Sequence, residues 1–164
     1  MQKMRKIPIT KGLAAIVDDD DYENLRQYNW SYHGRGYAAR GFHKDGKLVI
    51  VKMHQAVMGK TPEGYVIDHI NGNKLDNRKT NLRLVTIQQN TFNSSARQMV
   101  AGKPCRSRYK GVHWRDERGK WVSRITKDGK RYYLGLFDTE VQAAAAYNNA
   151  AKSLFGDYAK LNDL

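Results

Sequence analysis

The stretch from Tyr65 to Asn90 decides the fold of the first half of the chain. It reads YVIDHINGNKLDN over residues 65–77 and, three residues later, NLRLVTIQQN over residues 81–90. Each segment contains a short apolar run, and the residues between the runs are mostly asparagine, glycine and aspartate, which favour turns. The pattern predicts two strands joined by a long polar loop, with a helix after the second strand.

Polar side chains lie at the ends of these predicted strands. Asp68 and His69 end the first run, Asn81 opens the second, and Asn90 lies near the start of the predicted helix. Adjacent strand residues point to opposite faces, so Asp68 can hold a metal while His69 approaches a phosphate from another side. Phosphodiester hydrolysis needs a base near neutral pKa and a hard cation to neutralise the phosphate. Mg²⁺ prefers oxygen ligands and keeps several waters, so two protein ligands suffice.

This constellation resembles the HNH nuclease motif, in which two strands and a helix hold one divalent metal against a DNA phosphate. The resemblance covers about residues 52–93 and implies that His69 is the general base. It implies that Asp68 and Asn90 are metal ligands and that Asn81 braces the loop so that His69 is oriented. The sequence departs from the motif where Asn90 replaces a histidine. An amide oxygen suits Mg²⁺ or Mn²⁺, and some HNH subfamilies use asparagine there.

Other polar residues near the motif each have two interpretations. Asn93, one helical turn after the predicted ligand, is an alternative ligand. His54 is either a phosphate contact or, as we favour, a histidine that packs or hydrogen-bonds near the edge of the fold. Arg78 and Arg83 either contact the DNA backbone or lie on solvated surface. Asp18–Asp21 is expected to be a solvated turn, because four consecutive carboxylates cannot all converge on one ion.

The last third of the chain predicts a three-stranded antiparallel meander followed by one helix. Strand-like runs cover Lys110–Arg115, Lys120–Thr126 and Arg131–Phe137, and turns at Asp116–Gly119 and Lys127–Lys130 separate them.

The helix that follows has its own start and stop signals. Thr139 and Gln142 match a capping box, and Gly156 suits the C-terminal stop. Its predicted sheet-facing residues are Ala143, Ala146, Tyr147, Ala150 and Leu154.

Residues 107–164 resemble the APETALA2/ethylene-response-factor DNA-binding domain along nearly their whole length. The matching segments are Tyr109-Lys-Gly-Val, Gly119-Lys-Trp, Leu134-Gly-x-Phe137, the alanine-rich helix through Ala151, and Gly156-x-x-Ala159-x-x-Asn162. The resemblance implies a sheet that lies in the DNA major groove. Carried over by position, the DNA-facing candidates are Lys110, His113, Arg115, Arg118, Arg124, Arg131 and Tyr133.

Two positions on that predicted face differ from the plant domain and limit what can be inferred about base preference. His113 and Tyr133 replace an arginine and a tryptophan that are common in the plant domain, so the base preference is not transferred. Arg118 stands in a turn that is one residue longer than the plant pattern. The residues expected in the core instead of on DNA are Trp121, Val112, Leu134 and Phe137.

The composition favours a polyanionic partner. The chain has 29 basic and 16 acidic residues and a formal net charge of +13 at pH 7. Cys105 is the single cysteine, which excludes an intrachain disulfide and a multi-cysteine zinc site. No apolar run approaches the ~20 residues that span a bilayer, and the N-terminus lacks a signal-peptide pattern, so we expect a cytoplasmic protein of a bacterial host cell.

Together these observations predict an α+β protein with a nuclease domain over residues 1–93, whose ββα-metal core covers about 52–97. A basic linker over 94–106 and a DNA-binding domain over 107–164 are expected to follow. The predicted function is a metal-dependent DNA endonuclease of the homing type found in phages and their hosts, with double-stranded DNA as partner and no obligate protein partner evident. The alternatives are a catalytically silent DNA-binding regulator and an RNA-directed nuclease, which the major-groove module disfavours.

Overall fold

The computed structural model describes residues 3–94, 96, 99–100 and 103–164. The chain divides into two compact units, Met1–Asn90 and Thr91–Leu164. The expected α+β class is confirmed. No helix among the described residues is long and apolar enough to cross a membrane.

The first unit contains short strand pairs and single-turn to two-turn helices. In chain order its elements are β1 (Met4–Pro8), β2 (Ala14–Asp18), α1 (Asp19–Arg26), β3 (Ser31–His33), β4 (Tyr37–Lys44), β5 (Lys47–Lys52), α2 (Met53–Met58), β6 (Tyr65–His69) and β7 (Leu82–Thr86), with α3 (Ile87–Phe92) across the division and 3-10 turns at Thr10–Gly12 and Lys79–Asn81. β1 pairs with β2, β3–β4–β5 form a meander, and β6 pairs with β7, all antiparallel.

One apolar core joins the N-terminal half of this unit to the nuclease-like half. Its buried residues come from β1 and the residue after it, from β2, from α1, from the residue before β3, from β4 and from α2, and Leu75 of the polar loop packs against them. The buried members are Ile7, Ile9, Ala15, Val17, Leu25, Trp30, Ala38 and Met53. The loop between β6 and β7 is therefore supported by residues far outside the motif.

The expectation of a solvated turn at Asp18–Asp21 is wrong. Asp18 is only 2% exposed and stands at the N-cap of α1, whose first turn contains the next three aspartates. Carboxylates at a helix N-terminus are stabilised by the helix dipole and by unpaired backbone N–H groups, which explains why acidic residues begin a helix here. The carboxylate of Asp18 also accepts a hydrogen bond from the backbone N–H of Lys79, at 2.8 Å.

The second unit contains the predicted meander and helix. Its elements are β8 (Met99–Val100), β9 (Lys103–Pro104), β10 (Val112–Arg115), β11 (Lys120–Lys127), β12 (Lys130–Phe137) and α4 (Glu140–Phe155), with 3-10 turns at Asp116–Arg118 and Gly156–Tyr158. The sheet order is β10–β11–β12, and α4 packs on one face of the sheet. The capping box is confirmed, since Thr139 Oγ1 accepts from the N–H of Gln142 and Gln142 Oε1 accepts from the N–H of Thr139.

The buried face of α4 is rotated from the predicted one. Ala143 and Tyr147 are buried as expected, but Ala146, Ala150 and Leu154 are only half-buried. The remaining buried positions on α4 are Ala144, Asn148, Ala151 and Phe155. On this face the side-chain amide of Asn148 exchanges hydrogen bonds with the backbone of Asn162, which a prediction from apolar periodicity does not include.

Gly111 fits its position for two physical reasons. Its φ of +77° lies in the left-handed region that L side chains rarely adopt, and a Cβ there would stand 2.1 Å from the ring of Tyr147 and 2.5 Å from the carbonyl of Arg124. The chain therefore passes between helix and sheet only because this residue has no side chain. The predicted core residues Trp121, Val112, Leu134 and Phe137 all pack in the clusters on the helix side of the sheet.

Candidate functional site

Asp68 and His69 end β6 and are both buried, at 7% and 4% exposure. Asp68 lies opposite Arg83 of β7, and Arg83 donates to Asp68 Oδ2 from Nε at 3.0 Å, while its terminal nitrogen lies 2.9 Å from the same oxygen. Arg83 therefore serves as a counter-ion to the predicted metal ligand, which neither of its two expected roles described.

The ring of His69 is packed by two other rings. The ring of His54 meets it edge-on with centroids 5.0 Å apart, and the ring of Tyr37 lies 6.1 Å from it. Asn77 Oδ1 stands 3.5 Å from Nε2. Burial lowers the pKa of His69, and the contacts with Asn77 and nearby carboxylates oppose that shift only in part. His69 is therefore held neutral, which is the state that can accept a proton.

His54 occupies an interior position beside the predicted base. It is 6% exposed on α2, and its Nδ1 has no hydrogen-bond partner among the residues that the structure describes. Burial, with smaller contributions from His69 and Lys52, lowers its pKa to about 4. Of the two roles expected for His54, the packed one agrees with this burial.

The loop between β6 and β7 is folded by side-chain hydrogen bonds to the backbone. Asn81 Oδ1 accepts from the N–H of Asn71 at 3.0 Å, and Asn81 Nδ2 donates to the carbonyl of Asp76 at 2.8 Å. The amide of Asn71 in turn donates to Asp76 Oδ2 at 3.0 Å. One asparagine thus joins both ends of the loop, and His69 lies at its start.

A second group of contacts stabilises the loop internally and joins it to the N-terminal half of the unit. Arg78 holds both carboxylate oxygens of buried Asp76, at 2.8 and 2.7 Å, and this contact lowers the pKa of Asp76. The N–H of Asn77 donates to the carbonyl of Ile16 at 2.7 Å. Arg78 therefore holds the loop together, a role that neither of its expected interpretations included.

The predicted ligand Asn90 is an exposed residue of α3 in the first unit, whereas the alternative ligand Asn93 is buried. Thr86 and Gln89 form a capping box at the start of α3, through N–H to side-chain hydrogen bonds of 2.9 and 3.2 Å. The Thr-x-x-Gln spacing is a sequence signature of a capping box, but no capping box was predicted at this position. Within the described part of the chain, no group of three or more His, Cys, Asp or Glu side chains is placed to hold a metal ion.

The C-terminal sheet has a helix face and an outer face. Residues directly opposite on paired strands point to the same side, so the register places Arg124 with Tyr133 and Thr126 with Arg131. These pairs alternate with Ile125, which packs in the core beneath α4. On β10, His113 and Arg115 lie opposite Val122 and Lys120 and share this outer face. Five of the seven predicted DNA-facing residues, His113, Arg115, Arg124, Arg131 and Tyr133, therefore lie together.

Positive charge accumulates on this outer face. Burial lowers the pKa of His113, and the neighbouring charges of Arg124, Arg131 and Arg115 lower it further. Only Arg115 among these arginines is in an ion pair within the described residues, with Glu117 at 3.3 Å.

Lys110 and Arg118 lie elsewhere than the other five candidates. Lys110 precedes β10, and its Nζ donates to the carbonyl of Phe92 at 2.7 Å. Burial lowers its pKa to about 8. Asn162 supports the same residue by accepting from its N–H and donating to its carbonyl. Arg118 lies in the 3-10 turn between β10 and β11 and is exposed.

Known proteins match both halves of the chain. The family model described as HNH endonuclease matches residues 49–92, and the AP2 domain model matches residues 107–157. An uncharacterised HNH endonuclease of Acanthamoeba polyphaga mimivirus is 33% identical over 156 residues, which cover 94% of this chain and 77% of that protein. Protein 3.8 of Escherichia phage T7 is 32% identical over 110 residues, which cover 67% of this chain and 86% of that protein.

Plant proteins match about a third of the chain. Dehydration-responsive element-binding protein 2D of Arabidopsis thaliana is 50% identical over 56 residues, which cover 33% of this chain and 27% of that protein. No solved structure matches the chain significantly. The chain belongs to the HNH endonuclease family and carries a C-terminal AP2 domain.

Proposed function

We propose that this chain is a metal-dependent DNA endonuclease of the homing type that hydrolyses a phosphodiester with water activated by His69. The observation that supports it most is the adjacency of buried Asp68 and His69 at the end of β6, with Asn81 folding the loop that follows. In this arrangement the carboxylate and the imidazole are fixed before substrate arrives, and such preorganisation is what catalysis requires.

The oxygen donors of this site suit a hard cation. We propose that Asp68 and Asn90 would hold one Mg²⁺ or Mn²⁺, because a carboxylate and an amide oxygen are ligands that these ions prefer. The bound ion would neutralise the scissile phosphate and stabilise the leaving oxygen. His69 takes the proton of the attacking water, and Tyr37 and His54 hold its ring against rotation.

The two domains divide the work in this proposal. The outer face of the C-terminal sheet reads the DNA major groove and sets the register, and the nuclease unit cuts with little sequence preference of its own. We propose domain bounds of 1–93 and 107–164, with residues 94–106 as a linker. The cytoplasm of a bacterial host cell, where its DNA lies, is the proposed place of action.

The test is cleavage of supercoiled plasmid by the purified chain with Mg²⁺ or with EDTA. Conversion to nicked circle is expected with Mg²⁺ alone, since one active site per chain cuts one strand. His69→Ala should lower the rate about 10²–10⁴-fold and leave DNA affinity unchanged. His43→Ala, at an exposed position of β4, is the matched control and should cut normally.

Two results would contradict this proposal. Equal cleavage by His69→Ala would remove His69 as the base. Tight DNA binding without cleavage, on plasmid and on genomic DNA alike, would instead indicate a DNA-binding regulator.

A further inference from the structure

Three lysines of the first unit lie against tyrosine rings beside the candidate site. Lys52 Nζ and Lys74 Nζ stand 4.7 and 4.9 Å from the centroid of the Tyr37 ring, and Lys11 Nζ stands 5.0 Å from that of Tyr32. These distances are within the range of cation–π contacts, which restrict a lysine that would otherwise move freely. We call Lys11, Tyr32, Lys74, Tyr37 and Lys52 the lysine–tyrosine strip.

The members of the strip are contiguous. A Cβ placed on Gly36 would lie 3.4 Å from Tyr32 Oη and 3.8 Å from Lys74 Cδ, so the two halves of the strip meet at this glycine. Lys74 is fixed further because its Nζ donates to the carbonyl of Arg35 at 2.8 Å. The strip is therefore a built feature of the fold, assembled from the chain after β1, the β3–β4 hairpin, the end of β5 and the polar loop.

The strip ends at the histidine pair. The ring of Tyr37 lies 5.2 Å from that of His54 and 6.1 Å from that of His69. An anion bound to Lys52 or Lys74 would consequently lie near the proposed base, because both lysines contact the ring of Tyr37.

The charges of the strip have no counter-ion among the described residues. Arg78, Lys79 and Arg83 of the same unit are each in an ion pair with an aspartate, whereas Lys11, Lys52 and Lys74 are in none. An anion that binds at these lysines therefore breaks no ion pair formed among the described residues. A nucleic-acid backbone is a row of negative charges and is therefore electrostatically complementary to a row of lysines.

We propose that the lysine–tyrosine strip binds consecutive backbone phosphates of the DNA strand on one side of the scissile bond. This assignment of the strand and side rests on the proposed nuclease function. The strip would hold the strand by charge, and a lysine that contacts a phosphate does not distinguish one base from another. It would thereby fix the scissile phosphate at His69 whatever the sequence around the cut.

The test compares two triple variants of the full chain with equal loss of charge. Lys11→Gln, Lys52→Gln and Lys74→Gln remove the strip, and Lys44→Gln, Lys47→Gln and Lys60→Gln remove three exposed lysines of the same unit. DNA affinity is measured against salt concentration in EDTA, where nothing is cut. The strip variant should lower the slope of log affinity against log salt by about 2 to 3, since each phosphate contact contributes about 0.9.

The control triple should change that slope by less than half as much. Equal slopes for the two triples, or a strip variant with the wild-type slope, would overturn the proposal. A third triple variant, Lys11→Arg, Lys52→Arg and Lys74→Arg, separates the effect of lost charge from the effect of misfolding. It retains the charge and should restore the slope, and failure to restore it in a folded protein would count against phosphate binding.

Ethylation of single phosphates then locates the contacts. Ethylation on one side of the mapped cut should impair binding of the wild type and not of the strip variant, and an identical interference pattern for both would overturn the assignment. Because the salt measurement needs no cleavage, the two proposals fail separately. A chain that never cuts DNA but shows the slope difference would refute the nuclease function and retain the phosphate site.

Discussion

The polar loop over residues 70–81 and the outer face of the C-terminal sheet present functional groups by different means. In the loop, Asn71, Asp76 and Asn81 hydrogen-bond each other's backbone and side chains, so each side chain depends on its neighbours. On the sheet, backbone pairing sets the positions of Arg124 and Arg131, and Arg124 alternates with the core residue Ile125. A substitution should therefore spread its effect through the loop but remain local on the sheet.

The first prediction tests whether the sheet tolerates change only on its outer side. Gly111→Ala should lower the free energy of unfolding of the C-terminal unit by about 2–5 kcal/mol, because overpacking costs about 1–3 kcal/mol and a left-handed alanine about 1–2 kcal/mol. The clash is with the ring of Tyr147 and with backbone, so little can yield.

Gly119→Ala is the matched control for this change. Its φ is +57°, but a Cβ there would meet nothing within 4 Å. The cost should be about 1–2 kcal/mol, from the backbone alone. Urea unfolding followed by tryptophan fluorescence measures both variants, and equal losses would show that the close approach at Gly111 does not matter.

The second prediction tests the coupling within the loop. Asn81→Ala removes the acceptor for the N–H of Asn71 and the donor to the buried carbonyl of Asp76, and should cost about 1–3 kcal/mol of unfolding free energy. Cleavage should fall while DNA affinity is retained. Asn81→Asp keeps the acceptor for Asn71 but loses the donor to Asp76, so its loss should be partial.

Asn73→Ala is the control within the same loop. Asn73 is exposed and accepts from the N–H of Leu75 at 3.1 Å, where water can replace it, so less than about 1 kcal/mol should be lost. If Asn73→Ala and Asn81→Ala lowered stability and cleavage equally, the loop would not depend on Asn81 in particular.

The same contrast explains how much the sequence could predict. Strand alternation and the Thr139–Gln142 capping box predicted the C-terminal sheet, its core and its helix, because these signals repeat at a fixed period or spacing. The loop offered no period. The partners Asp76 and Arg78 are two residues apart in the sequence, whereas the partners Asp18 and Lys79 are 61 residues apart.

Contacts between such distant residues could not be inferred from one sequence. The prediction that Asp18–Asp21 form a solvated turn was wrong because the fold places the backbone N–H of Lys79 beside the carboxylate of Asp18. The counter-ion of Asp68 is the cross-strand neighbour Arg83, which follows only once the register of β6 and β7 is known. The Thr86–Gln89 capping box was available to sequence reasoning, since its spacing is the same as that at Thr139.

The third prediction tests whether effects on the sheet stay local. Arg124→Ala should weaken DNA binding about tenfold, which corresponds to one good contact of about 1.4 kcal/mol, and should leave stability nearly unchanged. Lys152→Ala, an exposed residue of α4, is the control of equal charge loss. Titration of labelled duplex DNA measures both, and an unaltered affinity of Arg124→Ala would contradict the assignment of the outer face to DNA.

The last prediction concerns the acid stability of the first unit. Burial lowers the pKa of His54 from 6.5 to about 4, so between these values the unfolded chain binds a proton that the folded one does not. The free energy of unfolding of the first unit should fall as pH decreases from 6.5 to 4, by less than about 1.4 kcal/mol per pH unit for one proton.

His54→Phe keeps an aromatic ring against His69 and removes the titrating group, so it should reduce that dependence on pH, although His69, whose pKa burial also lowers, retains part of it. His43→Phe on the exposed part of β4 should leave the wild-type dependence unchanged. The low pKa of Asp76 does not interfere, since its contribution to stability is lost only below the ordinary value of 3.8. Urea unfolding between pH 7 and 4 measures the slopes. An unaltered slope for His54→Phe would mean that His54 is charged or exposed in the folded protein and does not pack neutral against the proposed base.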